Sequence, residues 1–196
     1  MKNLNDMNSE ELGKYIKDTE NQIHNLLDEY INRVNNKIDK NKNAKTLKEK
    51  AYALSKLYKY VEWVNDGIEM NNNVKNRIRI VPKRGEVWTC ELGQNIGSEE
   101  NKIRPVIIIQ NDTGNQNGPT TIVVPISNRP KKIAVHISIR NGDFELAKGE
   151  KMEITGTVLA EQIRIVSKAR LGRHVATLSD KFMQLLDSKI KISLDL

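Results

Sequence analysis

The segment GSEENKIRPVIIIQND, residues 97–112, places an arginine at the start of an apolar run. Arg104 is followed by Pro105 and by four β-branched residues, a composition typical of a buried strand. Burying an unpaired guanidinium would cost several kcal/mol, so Arg104 must reach water or meet an anion. A guanidinium can bind carboxylate or phosphate oxygens in bidentate geometry. Arg104 is therefore the first candidate for chemistry in this chain.

The composition favours a polyanionic partner. Lys and Arg total 32 against 25 Asp and Glu, a formal net charge of +7. This balance indicates association with polyanions, nucleic acid first, although it also serves solubility alone. The three histidines are scattered, and the sequence contains no CxxC or HExxH pattern, so nothing in it supports metal chemistry.

The sequence lacks the marks of membrane or exported proteins. No apolar run approaches the roughly 18 residues of a membrane span. The first residues, MKNLNDMNSEELG, lack the apolar segment of a signal peptide. The single cysteine, Cys90, excludes an internal disulfide framework and agrees with a reducing compartment. We therefore expect a soluble, cytoplasmic protein without a membrane partner.

Turn-forming residues divide the chain into two parts. All five prolines lie after residue 80, whereas all five tyrosines lie before it. Such a change in composition marks a change of architecture. We therefore expect two domains, residues 1–80 and residues 81–196.

The first part has the apolar periodicity of helices. Asn8 or Ser9 can cap a first helix, with Glu11 as the capping-box partner of Asn8. A turn at 41–45 and a second periodic segment from Leu47 to Ile68 follow. The pattern predicts an α-helical hairpin or a coiled-coil arm.

This arm needs a surface to pack against. Each helix carries one apolar stripe, so we expect packing on itself, on a second copy or on the other domain. The polar segment EMNNNVKNR after Gly67 predicts a linker to the second part. We interpret the arm as an assembly or docking element rather than an RNA-binding one.

The second part contains short segments rich in β-branched residues, separated by turn clusters. They are 85–92, 104–110, 120–126, 134–139, 156–160, 164–167 and 172–178. Their spacing predicts a compact barrel or a strongly curved sheet, which gives an α+β chain overall. A closing helix begins after Ser179 as N-cap, and its buried face is Phe182, Leu185, Leu186 and Ile190.

The second part contains five sequence blocks that can be compared, in order, with known families. They are KRGEVW (83–88), GSE with RPVIIIQND (97–112), GN with GPTTIVVPIS (114–127), LAEQIRIVSKARLG (159–172) and LSDKFMQLLDSKIKISL (178–194). Together they resemble the MazF/PemK family of toxin–antitoxin endoribonucleases. The resemblance covers residues 83–196, and the helical arm lies outside it.

The resemblance implies a small SH3-like barrel with a C-terminal helix, acting as a homodimer. Family members cut single-stranded RNA without metal or cofactor and leave a 2′,3′-cyclic phosphate and a 5′-hydroxyl. An acidic antitoxin peptide inhibits them by lying across the RNA groove. The family's essential arginine corresponds to Arg104 and its essential threonine to Ser127, where the hydroxyl is kept and the methyl group is lost.

Roles for further residues follow from this resemblance. Ser127 would orient the phosphate or the 2′-hydroxyl, and Glu99 would orient Arg104 or act as base, unless it is only a loop carboxylate in an ion pair. The RNA-binding candidates are Ser98, Lys102, Asn111, Asn115 and Gln162. Lysine can contact phosphate and asparagine can read base edges, but the same residues also serve solvation, turns or a dimer interface.

Three alternatives to a freely active nuclease stay open. Gyrase-binding toxins are expected to share this barrel, and the arm would suit an inactive interaction module or block the groove in cis. The arginine at 104 and the hydroxyl at 127 favour the nuclease. No histidine lies in the blocks around these two residues, so we expect His136 to be structural rather than part of a two-histidine acid–base pair.

Overall fold

The computed structural model describes residues 4–38, 44–77, 80–128 and 133–196. The backbone groups into two compact units, Met1–Glu62 and Trp63–Leu196. This grouping divides the chain earlier than the boundary that the composition predicts after residue 80. None of the described helices is long and apolar enough to cross a membrane.

The described elements follow the sequence pattern closely. The helices are α1 (Ser9–Ile38), α2 (Ala44–Asn72), α3 (Val74–Arg77), α4 (Asp112–Asn117) and α5 (Asp180–Leu194), with 3₁₀ turns at Leu4–Asp6 and Lys168–Arg170. The strands are β1 (Glu86–Glu91), β2 (Ile103–Ile108), β3 (Thr120–Ser127), β4 (His136–Ser138), β5 (Phe144–Leu146), β6 (Thr157–Leu159), β7 (Arg164–Ser167) and β8 (Leu171–Leu178). The predicted helical arm and curved sheet are both confirmed.

Helix α1 begins at the capping box that the sequence predicts. The backbone N–H of Glu11 donates to Asn8 Oδ1 at 2.9 Å, and the backbone N–H of Asn8 donates to Glu11 Oε2 at 3.0 Å. In the same unit, the Tyr30 hydroxyl donates to the main-chain oxygen of Ala53 at 3.5 Å, which joins α1 to α2. The turn expected at 41–45 lies largely outside the described residues.

The polar linker predicted after Gly67 is wrong, because α2 continues to Asn72 and α3 follows at once. Met70 and Val74, both half-buried, line a small cavity together with Ala169 of the second 3₁₀ turn. These tertiary contacts favour helix in a segment whose asparagines alone suggest a loop.

The sheet is antiparallel throughout, in the order β4-β6-β3-β2-β1-β8-β5, with β7 also paired to β3. Strand β5 was not predicted, because its three residues carry a single strong β-former, Phe144, between turn residues. The sheet curls around a core of apolar side chains on one face, chiefly Ile107, Val124, Ile126, Ile137 and Val158.

Helix α5 closes that core. The hydroxyl oxygen of Ser179 accepts from the backbone N–H of Phe182 at 3.3 Å, as the N-cap prediction requires. Phe182 and Leu186 are buried, and Ile190 packs against the core. Leu185 is 44% exposed, so its predicted place on the buried face is wrong. It lies one residue before Leu186, about 100° around the helix.

Candidate functional site

The register of β2 and β3 brings two predicted catalytic residues to the same end of a strand pair. The strands are antiparallel, and their pairing ends with Val106 opposite Pro125. Arg104 and Ser127 each lie two residues beyond this last pair. Directly opposite side chains share one face of a sheet, so continuation of the register would turn both towards the same side.

Strands β2 and β3 part at this point. Ser127 pairs with Thr157 of β6 instead, while Pro105, which has no N–H to donate, lies just beyond the last β2–β3 pair. Ser127 is buried, with 2% of its surface exposed. The parting of the strands opens the sheet beside its hydroxyl.

A carboxylate holds Arg104 in place, and it is not the predicted one. Arg104 Nε lies 3.1 Å from Glu100 Oε2 and donates to the main-chain oxygen of Asn101, also at 3.1 Å. These contacts do not include the expected one between Glu99 and Arg104, because Glu100 is the carboxylate that pairs with Arg104. Arg104 remains 27% exposed and Glu100 only 10%, so this ion pair is partly shielded from water.

The loop between β1 and β2 carries Glu100 and Asn101, and two main-chain hydrogen bonds join its ends. The backbone N–H of Lys102 donates to the main-chain oxygen of Gly93 at 2.7 Å, and that of Leu92 donates to Lys102 at 2.9 Å. We call residues 93–102 the catalytic loop. Lys102 itself is exposed and has a positive φ of 63°, which suits a tight closure.

Gln162 ties this loop to the segment after β6. Its Oε1 accepts from the backbone N–H of Glu100 at 2.9 Å, and its Nε2 donates to the main-chain oxygen of Ser98 at 3.2 Å. The side chain predicted to bind RNA thus also shapes the loop.

A cavity of about 440 Å³ lies beside the loop. Its lining is Ile96, Gly97, Ser98, Glu99, Glu100, Ser127, Ile133, His136, Leu159, Glu161 and Gln162. Four of the predicted site residues, Ser98, Glu99, Ser127 and Gln162, therefore meet at one cavity. Arg104 is not part of this lining, but it pairs with Glu100, which is.

His136 and Glu161 form a pair in the same cavity, although His136 was expected to be structural and Glu161 was not a candidate. His136 Nε2 lies 2.9 Å from Glu161 Oε1. His136 stands opposite Leu159 on β6, two residues from the Thr157 that pairs with Ser127, so all these side chains share one face. Glu161 could have been noticed in the sequence because it immediately precedes Gln162, inside one of the blocks that resemble the family.

The two predicted asparagines lie elsewhere. Asn115 is fully buried: its Nδ2 donates to the main-chain oxygen of Gln110 at 3.0 Å, and its Oδ1 accepts from the Thr121 hydroxyl at 2.7 Å. Asn111 caps α4, its Oδ1 accepting from the backbone N–H of Gly114 at 2.7 Å. These contacts do not support the RNA-binding role expected for either residue, because both side chains serve the fold.

A buried lysine completes this structural cluster. Lys168 is 2% exposed, and its ammonium donates to the main-chain oxygen of Asn115. Burial lowers the pKa of Lys168 below its usual value. Together with Asn115 it fixes α4 to the second 3₁₀ turn, away from the cavity lining.

Within residues 4–38, 44–77, 80–128 and 133–196, no group of three or more His, Cys, Asp or Glu side chains is placed to hold a metal ion. The Cys90 thiol is buried among apolar side chains of β1 and its neighbours. Burial raises the pKa of Cys90 to about 12. This thiol therefore stays protonated and inert near neutral pH.

Comparison with known proteins identifies the family of residues 83–194. Residues 83–194 match the model of the family described as PemK-like, MazF-like toxin of type II toxin–antitoxin systems. The chain belongs to this family. Among curated relatives, the Endoribonuclease MazF of Staphylococcus saprophyticus is 42% identical over 116 residues, 58% of this chain and 92% of the relative. This similarity assigns the chain to the endoribonucleases.

A solved MazF structure shares the fold. The crystal structure of MazF from Deinococcus radiodurans superposes with a TM-score of 0.51 at 18% identity, covering 60% of this chain and 99% of that one. An endoribonuclease in complex with its cognate antitoxin, from a mycobacterial species, gives a TM-score of 0.46 at 21% identity, covering 59% and 95%. The helices α1, α2 and α3 all precede the residues that match the PemK/MazF family model.

Proposed function

We propose that this MazF-like toxin cleaves single-stranded RNA at selected sequences, without a metal, to a 2′,3′-cyclic phosphate and a 5′-hydroxyl. The observation that carries the proposal is that Ser127 lines the cavity, while Arg104, at the same end of the neighbouring strand, is paired with Glu100 of the cavity lining. Family membership and the endoribonuclease relative support it.

Arg104 would bind the phosphate undergoing attack. Because Glu100 and Asn101 both engage Nε, the edge formed by the two terminal nitrogens is the one that meets the phosphoryl oxygens. Negative charge grows on these oxygens as phosphorus becomes pentacoordinate, and a guanidinium fixed beforehand stabilises that charge. The partial burial of the ion pair strengthens this effect.

Ser127 would donate its hydroxyl hydrogen to a phosphoryl oxygen or to the attacking 2′-oxygen. A serine hydroxyl has the same donor and acceptor capacity as the family's threonine. Its burial at the floor of the cavity limits competition from water. The methyl group that threonine would add is therefore dispensable for the chemistry and relevant only to side-chain orientation.

Two proton transfers accompany the reaction. The 2′-oxygen loses a proton as it bonds to phosphorus, and the departing 5′-oxygen gains one as its bond to phosphorus breaks. Four groups in the cavity lining can accept and return a proton: the carboxylates of Glu99, Glu100 and Glu161 and the imidazole of His136. Glu100 is paired with Arg104 and Glu161 with His136, so we assign the transfers to Glu99 and His136. Glu161, 2.9 Å from His136 Nε2, would fix the orientation of that ring.

Sequence selection would come from the rest of the cavity. The apolar side chains of Ile96, Ile133 and Leu159 can pack against a base. Oxygens of Glu161 and Ser98 can accept hydrogen bonds from base N–H groups, which single-stranded RNA leaves accessible. Lys102, exposed at the end of the catalytic loop, would contact a neighbouring phosphate.

The proposed partners are an acidic antitoxin and a second copy of the chain. The family description assigns the toxin to a two-component system, and the net charge of +7 suits an acidic partner. Ile103 and Ile165, each 66% exposed on β2 and β7, provide apolar surface for a homodimer. Light scattering after gel filtration measures the assembly state directly.

One cleavage experiment tests the proposal. A long single-stranded RNA is incubated with the full chain in EDTA, beside Arg104→Ala and Ser127→Ala. Discrete cuts with cyclic-phosphate ends are expected from the wild type, with rates lower by about 10²–10³ in each variant. Absence of cuts, with or without residues 1–80, would contradict the nuclease and leave the non-enzymatic poison.

A further inference from the structure

The end of α2 packs onto the base of the catalytic loop. A Cβ atom built on Gly93 would lie 2.7 Å from Trp63 Cζ2 and 2.8 Å from Cε2, so the indole rests directly on the Cα of Gly93. Both residues belong to the same compact unit, Trp63–Leu196. Trp63 precedes the family-matched region, so the contact is particular to chains that carry this helix.

A second contact holds the indole in place. The guanidinium carbon of Arg170 lies 5.0 Å from the centre of the Trp63 ring. Arg170 Nη1 also donates to the main-chain oxygen of Glu91 at 3.2 Å, at the end of β1 where the loop begins. The indole is therefore fixed between Gly93 and a cation that is itself bound to the adjoining strand.

Two hydrogen bonds across the loop lie between Gly93 and the reacting groups. Gly93 accepts from the backbone N–H of Lys102 at 2.7 Å, which closes the loop base. Within the loop, Asn95 Nδ2 donates to the main-chain oxygen of Glu100 at 2.6 Å, and Glu100 pairs with Arg104. A displacement of Gly93 would therefore be transmitted to the Glu100 carboxylate, which orients the Arg104 guanidinium.

We propose that Trp63 is a positioning residue for RNA cleavage: by packing on Gly93 it fixes the catalytic loop and, through Glu100, the guanidinium of Arg104. The inference rests on the nuclease function proposed above. It makes the helical extension a working part of the enzyme, since a residue outside the family domain controls the geometry of the site. Gly93 is required for the contact, because its φ of +91° and the nearness of the indole both exclude a side chain.

The kinetic test uses Trp63→Ala and Trp63→Phe in the full chain. The matched control is Tyr58→Ala, which removes a 65% exposed aromatic side chain from the same helix. Loss of the indole is expected to lower kcat by about 10- to 100-fold with a smaller change in KM, because misplaced groups cost rate. Phenylalanine should restore most of the rate, and Tyr58→Ala should match the wild type. Equal kcat in Trp63→Ala and the wild type, counted per folded molecule, would overturn the proposal.

Amide hydrogen exchange provides a readout that does not depend on cleavage. The amides of Glu100 and Lys102 are hydrogen-bonded in the closed loop. In Trp63→Ala they should exchange at least about tenfold faster, while Tyr58→Ala leaves them unchanged. Unchanged protection in Trp63→Ala would refute the positioning role even if the wild type cleaves RNA. Faster exchange in Trp63→Ala, together with no cleavage by the wild type, would instead refute only the nuclease.

A double substitution checks that Trp63 acts through Gly93. Gly93→Ala forces a methyl group against the indole, so it should lower kcat in the wild-type background. In Trp63→Ala the steric part of this effect is absent, and the additional fall should be smaller. Equal falls in both backgrounds would show that the two residues act independently and would contradict the proposed path.

Discussion

Arg104 Nε lies 3.1 Å from Glu100 Oε2, and this ion pair joins a strand to the loop that precedes it. The four-residue separation is bridged by a loop that folds back on itself rather than by a helical turn. The pair leaves the guanidinium partly exposed while removing its freedom to rotate. Glu100 is thus the residue through which the loop controls the proposed phosphate-binding group.

Replacing Glu100 by glutamine tests this control. The amide keeps the shape of the side chain but loses its charge, so Arg104 is held less firmly. We expect kcat for a short fluorogenic RNA to fall by about 10- to 100-fold, with a smaller effect on KM. Glu145→Gln, an exposed carboxylate on β5, is the matched control and should retain full activity. An unchanged kcat in Glu100→Gln would show that the ion pair does not orient the arginine for catalysis.

Substitutions at Ser127 separate the hydroxyl from the methyl group. Ser127→Ala removes the proposed donor and should lower kcat/KM by about 10²–10³. Ser127→Thr restores the family residue and should stay within about tenfold of the wild type, since the hydroxyl is conserved. Steady-state kinetics and melting temperatures are measured together, because the site is buried. Equal activity of the alanine and threonine variants would exclude a role for the hydroxyl.

The secondary structure could be predicted because its signals are local. The capping pair of Asn8 and Glu11, the β-branched segments and the N-cap at Ser179 all act within a few residues. Strand β5 and the helical continuation beyond Gly67 depend on distant partners, β8 and the second 3₁₀ turn. Such tertiary contacts override weak local preferences, so a single sequence does not reveal them.

Arg104 and Ser127 could be chosen from the sequence because they fall in blocks that resemble the family. The β2–β3 pairing leads to the same end of two neighbouring strands but ends two residues before either of them. The choice between Glu99 and Glu100 depends on the course of an irregular loop, which residue types do not determine. His136 joins the cavity because β4 pairs with β6 in antiparallel register, a long-range contact that its own sequence context does not show.

Asn115 should affect stability rather than RNA recognition. Its amide bonds Gln110 and Thr121 in the interior, so Asn115→Ala leaves the Thr121 hydroxyl without this buried partner. We expect a loss of about 1–3 kcal/mol in the free energy of unfolding, measured by denaturant titration. The pattern of cleaved sequences should be unchanged. A changed pattern in Asn115→Ala would restore its proposed role as a base reader.

Gln162→Ala, by contrast, should alter the pattern of cleaved sequences, because the Gln162 side chain holds the loop at Ser98 and Glu100.

Cys90 should make stability depend on alkaline pH. Its pKa rises from 9.0 to about 12 in the folded chain, because burial disfavours the thiolate. Above pH 9.0 the unfolded thiol ionises while the folded one stays protonated, so unfolding becomes easier as pH rises towards 12. Relative to Cys90→Ala, the wild type should lose at most about 1.4 kcal/mol per pH unit in this interval. A pH-independent difference between the two proteins would contradict the burial of the thiol, as would labelling of native protein by a thiol reagent near neutrality.

The pair of His136 and Glu161 provides the last test of the cavity. If the carboxylate works by holding the imidazole, then removing either side chain abolishes the same function, and the effects of His136→Ala and Glu161→Ala on kcat/KM should not add. We expect each single variant to lose about 10²-fold and the double variant to lose little more. A purely structural histidine would instead lower the melting temperature while leaving kcat/KM per folded molecule intact. Measuring both quantities for the three variants decides between these roles, because the loss of a residue that serves only the fold leaves the rate of the folded enzyme unchanged.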